Sequence, residues 1–111
     1  EVMNLIGDVE GKTAIIIDDI VDTAGSLCEG AKALEKRGAK RVFASCSHAI
    51  LSDPAVQRIN DSCIEKLVIT NTISLPPEKH SDKIVTLSLA DAIGDVIMRI
   101  QSHRSVSQLF R

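Results

Sequence analysis

Apolar positions along this chain fall into short runs and helical stripes that alternate from one end to the other. Thr13 to Asp18 ("TAIIID") is an apolar run ending in polar residues, the pattern of a strand buried on both faces of a parallel sheet. From Ser26 to Arg37, Leu27, Ala31 and Leu34 recur at helical spacing, Ser26 and Glu29 have the spacing of a capping box, and Gly38 stands where a helix stops. Arg41 to Ser47 ("RVFASCS") predicts a second strand. Asp53-Pro54 is an N-cap and first-turn pair for a short helix through about Asn60, with Val56 and Ile59 inward. Leu67 to Thr70 predicts a third strand, "NTISLPPEKHSDK" a surface loop, and Lys83 to Leu87 ("KIVTL") a fourth strand. A last helix, about Leu89 to Ser102, places Leu89, Ile93, Val96, Ile97 and Ile100 along one face.

Strands alternating with helices imply an α/β fold, a parallel sheet with flanking helices joined by right-handed crossovers. With 111 residues there is material for one modest core, so residues 1–111 are read as one domain or part of one. The chain does not begin with Met, and it is read as a piece of a longer protein.

Composition narrows the function. Apolar residues make up 44%, yet Phe43 and Phe110 are the only aromatics, which argues against base-stacking platforms for nucleic acid. A formal charge of -2 supplies no field to draw DNA or an anionic membrane, so an anionic ligand must be held by a local loop. Cys28, Cys46 and Cys63 are odd in number and widely spaced, which fits a reduced, cytoplasmic setting. No apolar run is long enough to span a bilayer, and "EVMNLIGDVEGK" lacks the plan of a signal peptide.

The chemistry concentrates in "IIIDDIVDTAGSL", Ile15 to Leu27. In an open parallel sheet ligands bind beyond the carboxyl ends of strands, where this loop falls. Backbone N–H groups from Thr23 to Ser26 can converge on one anion, the helix dipole adds partial positive charge, Gly25 lets the backbone approach, and the Thr23 and Ser26 hydroxyls add donors. Neither the P-loop nor the dinucleotide spacing is present. The adjacent carboxylates Asp18 and Asp19 repel unless a cation or hydroxyl donors meet them, which suits Mg2+ or a sugar diol. Read singly, the same residues are cap and turn residues. A receiver domain would also carry an acidic pair at a strand end, but it needs a phosphoacceptor Asp closing a later strand, and here the next strand ends "CSHAILSD".

"AIIIDDIVDTAGSL" resembles the phosphoribosyl pyrophosphate motif shared by type I phosphoribosyltransferases and the ribose-phosphate pyrophosphokinase family. "EVMNLIGDVEGK", "GAKRVFASCSHAILSDPAVQRI", "LVITNTISLP" and "SVSQLF" all resemble the C-terminal half of the latter family. The resemblance implies a type I phosphoribosyltransferase-like sheet, incomplete on its N-terminal side, with the N-terminal domain and the mobile catalytic loop absent. It implies transfer of diphosphate from ATP to the 1-hydroxyl of ribose-5-phosphate, with Mg2+ as cofactor. Asp18 and Asp19 would bind the ribose 2- and 3-hydroxyls, directly or through Mg2+. Asp22, Thr23, Ala24, Gly25 and Ser26 would form the 5-phosphate loop, with Asp18, Asp19 and Asp22 at the reacting centre. ATP would be held mostly by the absent regions, and the parent would be a homo-oligomer. Ser105, Ser107 and Phe110 in the tail would contribute to a regulatory phosphate or ADP site, and His48, at a position where the family has a His, would be placed to contact a substrate. The intact "DTAGS" favours a catalytic parent. The alternatives are a salvage phosphoribosyltransferase, for which the chain shows no nucleobase pocket, and a non-catalytic regulatory subunit. By itself the chain is expected to bind ribose-5-phosphate weakly, to be inactive, and to self-associate along an open apolar edge.

Overall fold

A computed structural model describes residues 7–110 of the chain. The first six residues of "EVMNLIGDVEGK" and Arg111 lie outside the described residues. Four parallel strands, β1 (Thr13–Val21), β2 (Arg41–Ala49), β3 (Ile64–Thr70) and β4 (Ile84–Leu87), stand side by side in chain order. Helix α1 (Gly25–Lys36) connects β1 to β2, α2 (Ala55–Asp61) connects β2 to β3, and α3 (Ala90–Gln101) follows β4. Short 3-10 turns occupy Pro77–Lys79 and Ser107–Phe110.

Each prediction of element type holds; the differences lie at the element ends and in β1, which is not buried on both faces as its apolar run suggested, since Ile15 and Ile17 are exposed on this edge strand. β1 runs on through Asp18 and Asp19 to Val21 rather than stopping at Asp18, because its pairing with β2 continues at Ile20 to His48 and Val21 to Ala49. β3 begins three residues earlier than the apolar run suggested, at Ile64, with an irregularity in its register between Val42 and Ala44 of β2. The Asp53-Pro54 pair precedes α2 as expected, but Pro54 is the N-cap and no side chain caps the helix; the Ala55 N–H bonds to the Ser52 carbonyl instead.

The core lies between one sheet face and the helices α1 and α2. Alternate strand residues Val42, Ala44 and Cys46 of β2, and Leu67 and Ile69 of β3, are buried with Leu27 and Ala31 of α1 and Ala55 and Ile59 of α2. The small Ala44, Ala31 and Ala55 let the helices approach the strands closely. Leu51, Ile59, Ile64, Leu67 and Ile69 are the largest fully buried side chains, each contributing roughly 1.5–3 kcal/mol by leaving water. The other alternation set remains in solvent: Ile15 is 63% and Ile17 81% exposed. Both belong to β1, which pairs on one side only among the described residues.

The expected apolar face of α3 is a correction of a different kind. The stripe exists, but Ile93, Ile97 and Ile100 are exposed, and none of the helix is buried among the described residues. Periodicity reported amphipathicity correctly; it could not report that, among the described residues, Leu89 and Val96 are only half-buried and the isoleucines of that face stay in solvent.

Candidate functional site

β1 delivers Asp18 and Asp19, and the chain then turns through Asp22, Thr23 and Ala24 into α1. Ala24 makes the turn possible with a left-handed backbone (φ 63°, ψ 13°) while its methyl sits in the core. That conformation is unfavourable for a residue with a Cβ, and packing on the core holds it. Ala24 is the N-cap of α1, no side chain caps the helix, and the first intrahelical bond runs from the Cys28 N–H to the Ala24 carbonyl at 3.0 Å. The capping box expected from Ser26 and Glu29 is therefore not formed: Ser26 lies inside the first turn, two positions past the cap. The amides of Gly25, Ser26 and Leu27 are left without a side-chain cap at the positive end of the helix dipole.

Asp18 and the continuous run Ile20 to Leu27 line one hollow of 260 Å3. Six of the seven predicted substrate-binding residues, Asp18, Asp22, Thr23, Ala24, Gly25 and Ser26, are thus gathered around one space, and Asp19 stands beside it. The Asp18 Oδ1 accepts from the Asp19 N–H at 2.8 Å, and the Asp19 Oδ1 accepts from the Ile20 N–H at 2.8 Å. The Asp19 carboxyl is held below its ordinary range, first by a hydrogen bond with the Asp18 side chain, then by backbone N–H groups, with a smaller pull from His48.

His48, near the end of β2, faces Thr72, with Nδ1 and Oγ1 2.8 Å apart. Thr70 and Thr72 both donate their hydroxyls to the Ser47 carbonyl, and Asn71 accepts from the Leu89 N–H at 2.9 Å, where α3 begins. The polar "TNT" turn is held by its own side chains. No group of three or more His, Cys, Asp or Glu placed to hold a metal occurs among the described residues. The Asp18–Asp19 pair nonetheless fits the way Mg2+ is usually held, by one or two carboxylates completed by substrate phosphates and water. In the tail, the Ser105 and Ser107 hydroxyls lie 3.0 Å apart, Phe110 is exposed, and none of the three lines the loop hollow.

Sequence reasoning missed Arg58. From α2 its Nη1 donates to the Thr23 carbonyl at 3.0 Å, across a separation of 35 residues. Nothing in the sequence ties this arginine to the loop; a basic residue in the last turn of a short helix reads as a partner for the helix dipole.

Comparisons with known proteins bear on the family and the fold. The family model described as "Phosphoribosyl synthetase-associated domain" matches residues 1–111. The chain is 57% identical over 110 residues to ribose-phosphate pyrophosphokinase 1 of Listeria innocua, covering 99% of this chain and 35% of that protein. To ribose-phosphate pyrophosphokinase 1 of Lactococcus lactis it is 54% identical over 110 residues, covering 99% and 34%. The crystal structure of phosphoribosylpyrophosphate synthetase from Mycobacterium smegmatis superimposes with a TM-score of 0.85 at 34% identity, over 88% of this chain and 33% of that one. The chain spans about a third of the length of the curated relatives it matches.

Proposed function

The chain belongs to the phosphoribosyl synthetase-associated domain family, and we propose that it is the ribose-5-phosphate-binding part of a ribose-phosphate pyrophosphokinase. The observation that carries this reading is the single hollow shared by Asp18 and the uncapped start of α1. It combines acceptors suited to sugar hydroxyls with donors suited to a phosphate.

In the proposed reaction the 1-hydroxyl oxygen of ribose-5-phosphate attacks the β-phosphorus of ATP. The new O–P bond forms as the bond from the β-phosphorus to the α,β-bridging oxygen breaks; AMP leaves with that oxygen and the hydroxyl proton is released. Asp18 and Asp19 accept hydrogen bonds from the 2- and 3-hydroxyls and orient the ring. The amides from Thr23 to Ser26 and the Thr23 and Ser26 hydroxyls hold the 5-phosphate, and Asp22 lies between the two, bracing the loop beside the reacting end. Bound Mg2+, with Asp18 and Asp19 as its protein donors, would neutralise charge on the transferring diphosphate. ATP-binding groups, and subunit contacts of a homo-oligomer, would come largely from sequence beyond this third of the family's length. Phosphate or ADP at Ser105, Ser107 and Phe110 would supply regulation. The chain alone is expected to form no phosphoribosyl pyrophosphate.

Calorimetric titration separates the two halves of the hollow. Replacing Asp18→Asn and Asp19→Asn together should weaken ribose-5-phosphate binding by about tenfold or more, as expected for lost hydrogen bonds to charged acceptors. Inorganic phosphate, freed of two nearby negative charges, should bind as well or better. Equal losses for both ligands, or none for either, would contradict the assignment.

A further inference from the structure

Two hollows flank the loop that leads into α1. The 260 Å3 hollow holds Asp18 and the loop amides; on the other side a 530 Å3 hollow runs between α1 and α2 and is lined by Cys28, Asp61, Cys63 and Arg58 among others. Gly25 borders both, so the loop is a thin wall between them. Arg58 touches that wall at Thr23 and leaves little room beside Gly25. Its Nη1 donates to the Thr23 carbonyl at 3.0 Å, and a Cβ built on Gly25 would lie only 3.2 Å from the same nitrogen. Glycine at this position leaves room that a side chain would take from the guanidinium.

From this geometry we infer that Arg58 is a positioning residue for the phosphate loop, a role that rests on the proposed site. In a trans peptide the carbonyl and the following N–H point in opposite directions. A Thr23 carbonyl held toward α2 therefore turns the Ala24 N–H away from α2, toward the hollow where the 5-phosphate is proposed to bind. Arg58 can do this rigidly because α2 is anchored by Ala55 and Ile59, both fully buried. Its planar guanidinium is pre-organised, so less freedom is lost in making this hydrogen bond than with the flexible ammonium of lysine. The arginine itself does not line the phosphate hollow, so it acts through the loop and not on the ligand.

The test compares the 111-residue chain with Arg58→Met, which keeps the stem, and Arg58→Lys, which keeps the charge. In the absence of ligand, 15N relaxation should show increased mobility at residues 22–26 in Arg58→Met, with the remaining amides unchanged. With ribose-5-phosphate added, its dissociation constant should rise about tenfold, the size expected for one lost hydrogen bond from a charged group. Arg58→Lys should recover part of both effects. An unchanged loop in ligand-free Arg58→Met overturns the inference, whatever the ligand does. Full recovery by lysine, with the methionine effect vanishing in about 0.5 M salt, would mean that only charge matters and would also overturn it. A parent chain whose loop amides ignore ribose-5-phosphate would refute the proposed site, while the ligand-free comparison still decides the role of Arg58.

Discussion

Ala24 joins the fold to the site, and its substitution gives a prediction with a sign that depends on shape. The residue has φ 63° and is 5% exposed, so any side chain there must tolerate a left-handed backbone and fit the core. Ala24→Val adds a β-branch, which raises the left-handed cost by about 1 kcal/mol or more. It also forces two further carbons into a filled space, a cost of about 1–3 kcal/mol. The sum is a loss of about 2–4 kcal/mol, a large fraction of the stability of a small domain. Ala24→Gly relieves backbone strain of about 1–2 kcal/mol, but loses a buried methyl worth about 0.8 kcal/mol and enlarges the unfolded ensemble by about 0.4–1 kcal/mol. Those terms nearly cancel, so the glycine variant should stay within about 1 kcal/mol of the parent. Urea denaturation of the three proteins measures both differences. A valine variant as stable as the parent, or a glycine variant as unstable as the valine, would refute the account of the loop.

Further expectations concern charge, thiols and the open face. The Asp19 carboxyl is depressed, so what its charge contributes is present above the unfolded value of about 3.9 and is lost only as the pH falls through the lower folded value. A carboxyl NMR titration should place its midpoint below that of free aspartate; a midpoint at or above it would contradict the local hydrogen bonding. Burial pushes the Cys28, Cys46 and Cys63 thiols up, so at neutral pH all three should alkylate more slowly than free cysteine, Cys46 slowest of all. Mass spectrometry of a timed iodoacetamide reaction would expose any that reacts at the free rate. With Ile15 and Ile17 in solvent on a one-sided strand, the melting temperature of the chain should depend on its concentration; a sharp, concentration-independent monomeric melt would argue against self-association.

Much of this fold was legible because each element carried its own period. The isoleucines before Asp18 marked β1, and Leu27, Ala31 and Leu34 marked α1. The end of β1 was misjudged because two aspartates break the apolar run, while strand pairing depends on backbone groups that continue regardless of side chain. The capping box misled for a related reason: Ser26 and Glu29 have the right spacing, but a left-handed alanine, which has no sequence signature, takes the cap position. Most of the site was local in sequence, so Asp18 and the run from Asp22 to Ser26 could be found together. Arg58 could not, since its contact with Thr23 exists only once α2 has packed beside α1.

The central claim is that carboxylates and loop amides divide one ligand between them. An 15N NMR titration of the chain with ribose-5-phosphate tests it most directly. The account predicts the largest shifts at the amides of Thr23, Ala24, Gly25 and Ser26, smaller ones around Asp18 and Asp19, and none along the tail from Ser105 to Phe110. Saturable shifts elsewhere with residues 23–26 unmoved would contradict it.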